Sequence, residues 1–169
     1  MQYLLPHFPR GRRFTAFLAV LLLSGLGWAA AQADQTPQGW WLKSDGSGAI
    51  IIAPCGAQLC GYVAWMRHPL DAQGKPKTDI LNPDAALRAR PLCGLPMMGG
   101  MVPDGAGGWQ GGWVYDPDRG KTYKSIMSVA PDGTLHLRGY IGIPLLGRSA
   151  IMTRPATALA RCSGGSAAG

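Results

Sequence analysis

The chain contains no glutamate; all nine of its acidic residues are aspartate. Paired-carboxylate catalysis therefore rests on aspartate alone, and no two aspartates are spaced to suggest it. Histidine is scarce, with His7, His68 and His136 only. No Ser–His–Asp order stands out, and no glycine-rich loop leads into a helix, so neither a catalytic triad nor a phosphate cradle is expected. CxxC and HxxxH spacings are missing, which argues against zinc and leaves no metal or cofactor implied. Runs of Lys and Arg are missing too, and no face alternates bases with aromatics, so nucleic acid is not an expected partner. Nothing in these absences supports an enzyme.

Only one long apolar run is present, and it lies at the start. Arg10, Arg12 and Arg13 precede Phe14 to Trp28, and Ala31-Gln32-Ala33 follows as a small-x-small site. This order predicts an export signal over residues 1–33, cleaved after Ala33. The run is short for a spanning helix, which needs about 20 residues. No second run of that length follows, so no transmembrane segment is expected after cleavage. The formal net charge of +7 falls to +4 once the three leading arginines leave. That mild excess is compatible with weak attraction to an anionic membrane or envelope polymer.

What is abundant is glycine, at 25 residues, with 14 prolines. Asp45-Gly46, Asp104-Gly105, Asp116-Pro117 and Asp132-Gly133 are turn pairs, in which the Asp side chain bonds the local backbone. Between the turns, hydrophobic alternation favours strands. They are expected at about 39–43, 49–53, 59–66, 95–102, 109–115, 121–129, 134–141 and 148–154. The stretch from Arg67 to Gly94 is too long for a hairpin loop. Within it Asn82 is placed to cap a short helix with Pro83 at its first position. The remainder after Arg154, residues 155–169, reads as a disordered tail unless Cys162 pins it.

About eight strands joined mostly by hairpins have one natural closure, an antiparallel up-and-down barrel, with a β-sandwich as the competing fold. The domain is expected over residues 34–154. In one alternation Leu59, Gly61, Val63 and Trp65 share a face, and in another Trp109, Gly111, Trp113 and Tyr115 do. Gly61, Gly111 and Gly139 are read as interior, making room for strong coiling or a small cavity.

Four cysteines follow the export signal: Cys55, Cys60, Cys93 and Cys162. An even count in an exported chain suggests disulfides, and three pairings are open. Pro54 to Cys60 looks like a hairpin tip that brings Cys55 and Cys60 together. Cys93 and Cys162 are then the residual pair.

Gly39-Trp40-Trp41 opens the first strand and Arg154 ends the last. In a closed barrel these strands are neighbours, and an Arg there can lie on an indole face. Gly39, Trp41 and Arg154 resemble the Gly-x-Trp and final-strand Arg of the lipocalins and wider calycin group, where the role implied is structural closure. A more specific resemblance covers residues 39–154. It is carried by Trp41…Gly48, Pro54-Cys55…Leu59-Cys60-Gly61, Asp79…Asn82-Pro83, Arg90-Pro91-Leu92-Cys93-Gly94-Leu95, Gly112…Tyr115-Asp116-Pro117…Gly120-Lys121-Thr122-Tyr123 and Leu137-Arg138-Gly139-Tyr140…Gly147-Arg148. These words are similar to an exported bacterial family, domain of unknown function 2147. The resemblance implies a lipocalin-like barrel and no established activity. Met152 departs from the family pattern, standing where an aromatic is usual, which weakens any ligand role for that position.

The expectation that follows is a periplasmic or secreted barrel that binds a small apolar or amphipathic molecule, such as a lipid. Trp65, Trp109, Trp113 and Tyr123 are the candidate lining, against the simpler role of filling the core. Arg88 and Arg90 are candidates to cover the barrel mouth and meet an anionic group, against pairing with Asp84 or Asp79. The alternative is a packed barrel that meets an envelope protein or polymer through its surface.

Overall fold

The structure, a computed structural model, describes residues 35–162. The expected export signal and residues 163–169 lie outside the described residues. Eight strands are present: β1 Gly39–Lys43, β2 Gly48–Cys55, β3 Gln58–Met66, β4 Pro96–Pro103, β5 Gly108–Asp116, β6 Lys121–Val129, β7 Leu135–Tyr140 and β8 Arg148–Thr153. Each pairs antiparallel with its neighbours in sequence, and β8 pairs with β1, so the sheet closes into an up-and-down barrel. The closing seam is short. Leu42 lies opposite Thr153 and Lys43 opposite Met152, and Ser44 N–H extends it to the Ile151 carbonyl at 3.2 Å.

The aspartates fold the hairpins. Asp45 accepts from Ser47 N–H at 2.8 Å, Asp104 from Ala106 and Gly108 at 2.8 and 2.9 Å, and Asp132 from Thr134 at 2.9 Å. These short acceptors close each turn locally, which is why Asp and not the longer Glu suits the positions. Bonds from Ser47 hold the exposed Asp45 carboxyl down to about 2.

The barrel axis is filled from its base to its middle. Trp41, Ile50, Ile52, Leu59, Met98, Met101, Met127, Val129, Leu135, Leu137 and Met152 form one buried cluster, with Met97, Trp109 and Val114 packed against it. Methionine's flexible thioether chain fills the irregular space that glycines leave. A side chain at Gly61 would meet Met98 Cγ at 2.6 Å, and one at Gly112 would meet Met101 Sδ at 2.5 Å. Gly61 and Gly112 thus admit methionine, and a side chain at Gly139 would meet Val114 and Tyr123 at 3.0 and 3.4 Å. Gly111, expected among them, instead bends the exposed part of β5 at φ +75°.

The base is locked by the first and last strands. Trp41 is fully buried, and its indole N–H donates to the Pro37 carbonyl at 2.7 Å. The Arg154 guanidinium lies 3.8 Å from the Trp41 ring centroid and donates to the carbonyls of Thr36 and Gln38, each at 2.7 Å. A Cβ at Gly39 would stand 2.8 Å from Arg154 Nη1, so glycine is what lets the Arg cross the strand.

Both disulfides are present: Cys55–Cys60 closes the β2–β3 hairpin with Cα atoms 5.8 Å apart, and Cys93–Cys162 spans 6.0 Å. Through the second, the described part of the tail is held on the outer wall. Cys162 N–H bonds the Ala64 carbonyl at 2.9 Å, and Arg161 sits 5.7 Å from the Trp40 ring centroid.

The connection from β3 to β4 is clasped to the outside of the barrel. Asp79 is 1% exposed and takes bonds from Tyr115 Oη at 2.6 Å, Asn82 Nδ2 at 2.7 Å and Arg90 Nε and Nη2 at 3.0 and 2.8 Å. The short helix expected at Asn82-Pro83 is a 3-10 turn, Ala85–Leu87, capped by Asp84 through Ala86 N–H at 2.9 Å. Asn82 instead precedes the cap: its Oδ1 accepts from Asp84 N–H at 2.9 Å, and its Nδ2 donates to Asp79 and to Tyr115 Oη, the latter at 3.2 Å.

Candidate functional site

The register decides which aromatics face inward. In β3, Val63 lies opposite Ile50 but Trp65 lies opposite Ala49, so Ala64 is an extra residue that turns Trp65 away from the face of Ile50. In β5, Trp109 lies opposite Met127 and Gly112 opposite Ser125, so one residue is again extra and the alternation flips between them. Trp109 packs on the core, whereas Trp113 is 38% exposed on the outer wall, its indole about 3 Å from the position a Gly99 Cβ would take. Tyr115 shares that outer face and is buried only because the clasp covers it. Tyr123 faces inward near the mouth, opposite Val114. The expected single row of aromatics is therefore split between the two faces by bulges.

The two arginines sit in the clasp. Arg90 pairs with Asp79 at 2.8 Å and lies 5.7 Å from the Tyr115 ring centroid, and Arg88 Nε donates to the Asn82 carbonyl at 2.8 Å. Burial opposes ionisation of Asp79, but the bonds from Tyr115, Asn82 and Arg90 outweigh it and hold the carboxyl below its ordinary value. Burial and the bond to Asp79 raise the Tyr115 phenol above its own. The clasp is thus an ionised, internally satisfied cluster, as buried charge requires.

Trp109 belongs to a different constellation. At the base, a groove of about 470 Å³ opens between the segment before β1, the β2–β3 hairpin and the ends of β4 and β5. Leu59 and Met101 form part of its lining with Trp109, and Pro37, Pro54 and Pro103 add apolar walls. Gln35, Gln38 and Gln58 bring amides. Its walls are fixed by independent devices: Arg154 and Trp41 tie Thr36 to Gln38, and the Cys55–Cys60 disulfide closes the hairpin. No lining residue is ionisable. The groove can therefore offer apolar contact, an indole and amide hydrogen bonds, but no acid, base or counter-charge. A second concavity of about 640 Å³ lies against the outer wall of β6 to β8, lined in part by Ile126, His136, Arg138 and Ser149. His136 there bonds Thr134 Oγ1 at 3.1 Å. Sequence patterning singles out Trp109 but not Leu59, Met101 or the prolines as its companions. Only the strand register and the two hairpin tips bring them together.

A closed eight-stranded barrel, locked at its base by Gly39, Trp41 and Arg154, defines a lipocalin-like protein. A lipocalin-family protein of known structure from the human pathogen Helicobacter pylori superposes on it with a TM-score of 0.61. The match has 20% sequence identity and covers 72% of this chain and 84% of that one. Residues 39–154 match the family described as uncharacterized protein conserved in bacteria (DUF2147), and the chain belongs to that family. No curated protein matches it. Two disulfides are consistent with export to an oxidising compartment. Among the described residues no helix is long and apolar enough to cross a membrane.

Proposed function

We propose that this is an exported, periplasmic binding protein whose base groove takes a small, uncharged molecule with an apolar body and a polar end. The observation that carries the reading is the groove's lining: an indole on a floor of Leu59 and Met101, amides nearby and no ionisable side chain. Its volume lies within the roughly 300–1,000 Å³ common for small-molecule sites. Function here is burial without bond-making, so no catalytic residue is assigned. The lipocalin-like barrel supports the class of function, and the filled axis moves the site from the barrel centre to its base.

Titration with Nile red, a neutral apolar dye, tests this. The expected result is saturable fluorescence enhancement, weakened roughly tenfold or more by Trp109→Ala, about 1.4 kcal/mol, and unchanged by Trp113→Ala on the outer wall. Equal loss in both variants, or no saturable binding by the wild type, contradicts the groove. The filled barrel also favours a second reading, an envelope-interaction protein that uses its surface. Binding of a protein or polymer partner by a protein that takes up no dye would support it.

A further inference from the structure

Residues 141–147, joining β7 to β8 at the barrel mouth, run Ile-Gly-Ile-Pro-Leu-Leu-Gly. Ile141, Ile143, Leu145 and Leu146 are 55–81% exposed. Single exposed apolar residues are ordinary, but four large ones in six positions are not. Nor does the loop hang loosely. Arg138 on the outer wall of β7 donates to the Pro144 carbonyl at 2.6 Å, the Leu145 carbonyl at 3.0 Å and Ser149 Oγ at 3.0 Å. Pro144–Leu146 form a 3-10 turn. The guanidinium thus occupies the loop's carbonyls and leaves its aliphatic side chains pointing into water.

The charges on the strands that the loop joins are cationic. Arg138 and Arg148 lie on the two strands that the loop joins, and Lys124 on β6 lies opposite Tyr140, where the loop begins. The neighbouring β5–β6 turn at the same end carries Asp116 and Asp118, of which Asp116 is paired with Arg119 at 2.6 Å, while Asp132 lies in the β6–β7 turn at the opposite end of the barrel. The loop itself carries no aromatic ring and no polar side chain, the groups that anchor most protein interfaces. An aliphatic tip flanked by cations has instead the chemistry of an anionic bilayer interface. Its side chains can enter the boundary of head groups and acyl chains while nearby Lys and Arg side chains are attracted to an anionic surface.

We propose that the β7–β8 loop is a membrane-docking tip, which inserts Ile141, Ile143, Leu145 and Leu146 into a bilayer containing anionic lipid. The base groove lies at the other end of the barrel, so docking and ligand uptake are separate properties. The test is co-sedimentation of the exported protein with vesicles of phosphatidylglycerol and phosphatidylcholine in equal parts, beside vesicles of phosphatidylcholine alone. Wild type is compared with Ile143→Ser/Leu145→Ser/Leu146→Ser and with Lys124→Gln/Arg148→Gln, all made by the same export route and checked for an unchanged thermal transition. The expected result is binding to the anionic vesicles that falls roughly tenfold or more in the triple-serine variant. The charge variant, and about 0.5 M NaCl, should weaken it severalfold. Equal binding by wild type and the triple-serine variant, or no binding by either, overturns the proposal. So does a wild-type oligomer that the triple-serine variant dissolves, which would make the loop a protein interface.

Discussion

Asp79 shows how one carboxylate can hold a long connection. Its side chain is fully buried, yet each of its oxygens is bonded, and the positive partner Arg90 is itself about one-third exposed. Replacing Asp79 with Asn keeps the size but leaves Tyr115 and Arg90 without their anion. The expected loss is about 2–3 kcal/mol, read by urea denaturation at neutral pH. Because the folded-state pKa of Asp79 is depressed, its contribution is present above the ordinary carboxylate range near pH 4 and disappears as the pH falls through the lower folded value. The stability gap between wild type and Asp79→Asn should therefore be constant from pH 7 to about 4 and shrink below it. A gap that instead widens in acid would mean that Asp79 is not ionised in the fold. Gly120 meets the same clasp from the β5–β6 turn, at φ +60° and against the Leu81 carbonyl. Gly120→Ala combines a left-handed backbone with a backbone collision, and a loss of more than about 1 kcal/mol is expected in the same measurement.

Among the elements, strand number and order were readable because hydrophobic alternation and Asp-Gly turns act locally. All eight strands fall within a few residues of where the pattern puts them. Facing was less legible, because one inserted residue reverses every side chain beyond it. Ala64 and the Gly111 region do this in β3 and β5, and neither position is marked by sequence alone as a bulge. Strict alternation therefore gives Trp65 and Trp113 the wrong face, while Trp109, on the near side of its bulge, packs on the core. The family words Asp79…Asn82-Pro83, Arg90 and Tyr115…Gly120 were legible as words, but their meeting in a clasp is a long-range event. The pairing of Cys93 with Cys162 is likewise a tertiary fact. It closes a separation of 69 residues, which on loop-entropy grounds stabilises by about 4 kcal/mol. Cys93→Ser/Cys162→Ser should lower the thermal midpoint and expose residues 155–162 to limited proteolysis while leaving the barrel's strand content unchanged. Proteolysis no faster than in wild type would show that the tail is held without the bridge.

For the whole molecule, the barrel has two different ends. The base is locked by Arg154 on Trp41 and carries the uncharged groove. The mouth carries the aliphatic loop and its flanking cations. Between them the axis is occupied by methionine and aliphatic side chains, so a ligand has room at the base without displacing the core. The groove is proposed to hold a small neutral compound. Mass spectrometry of an organic extract, from protein exported by its native host and purified without detergent, tests it most directly. Wild type and Trp113→Ala should yield one neutral compound in near-stoichiometric amount, and folded Trp109→Ala should have lost it. A compound retained by Trp109→Ala, or none recovered from wild type that also fails to take up Nile red, would contradict it.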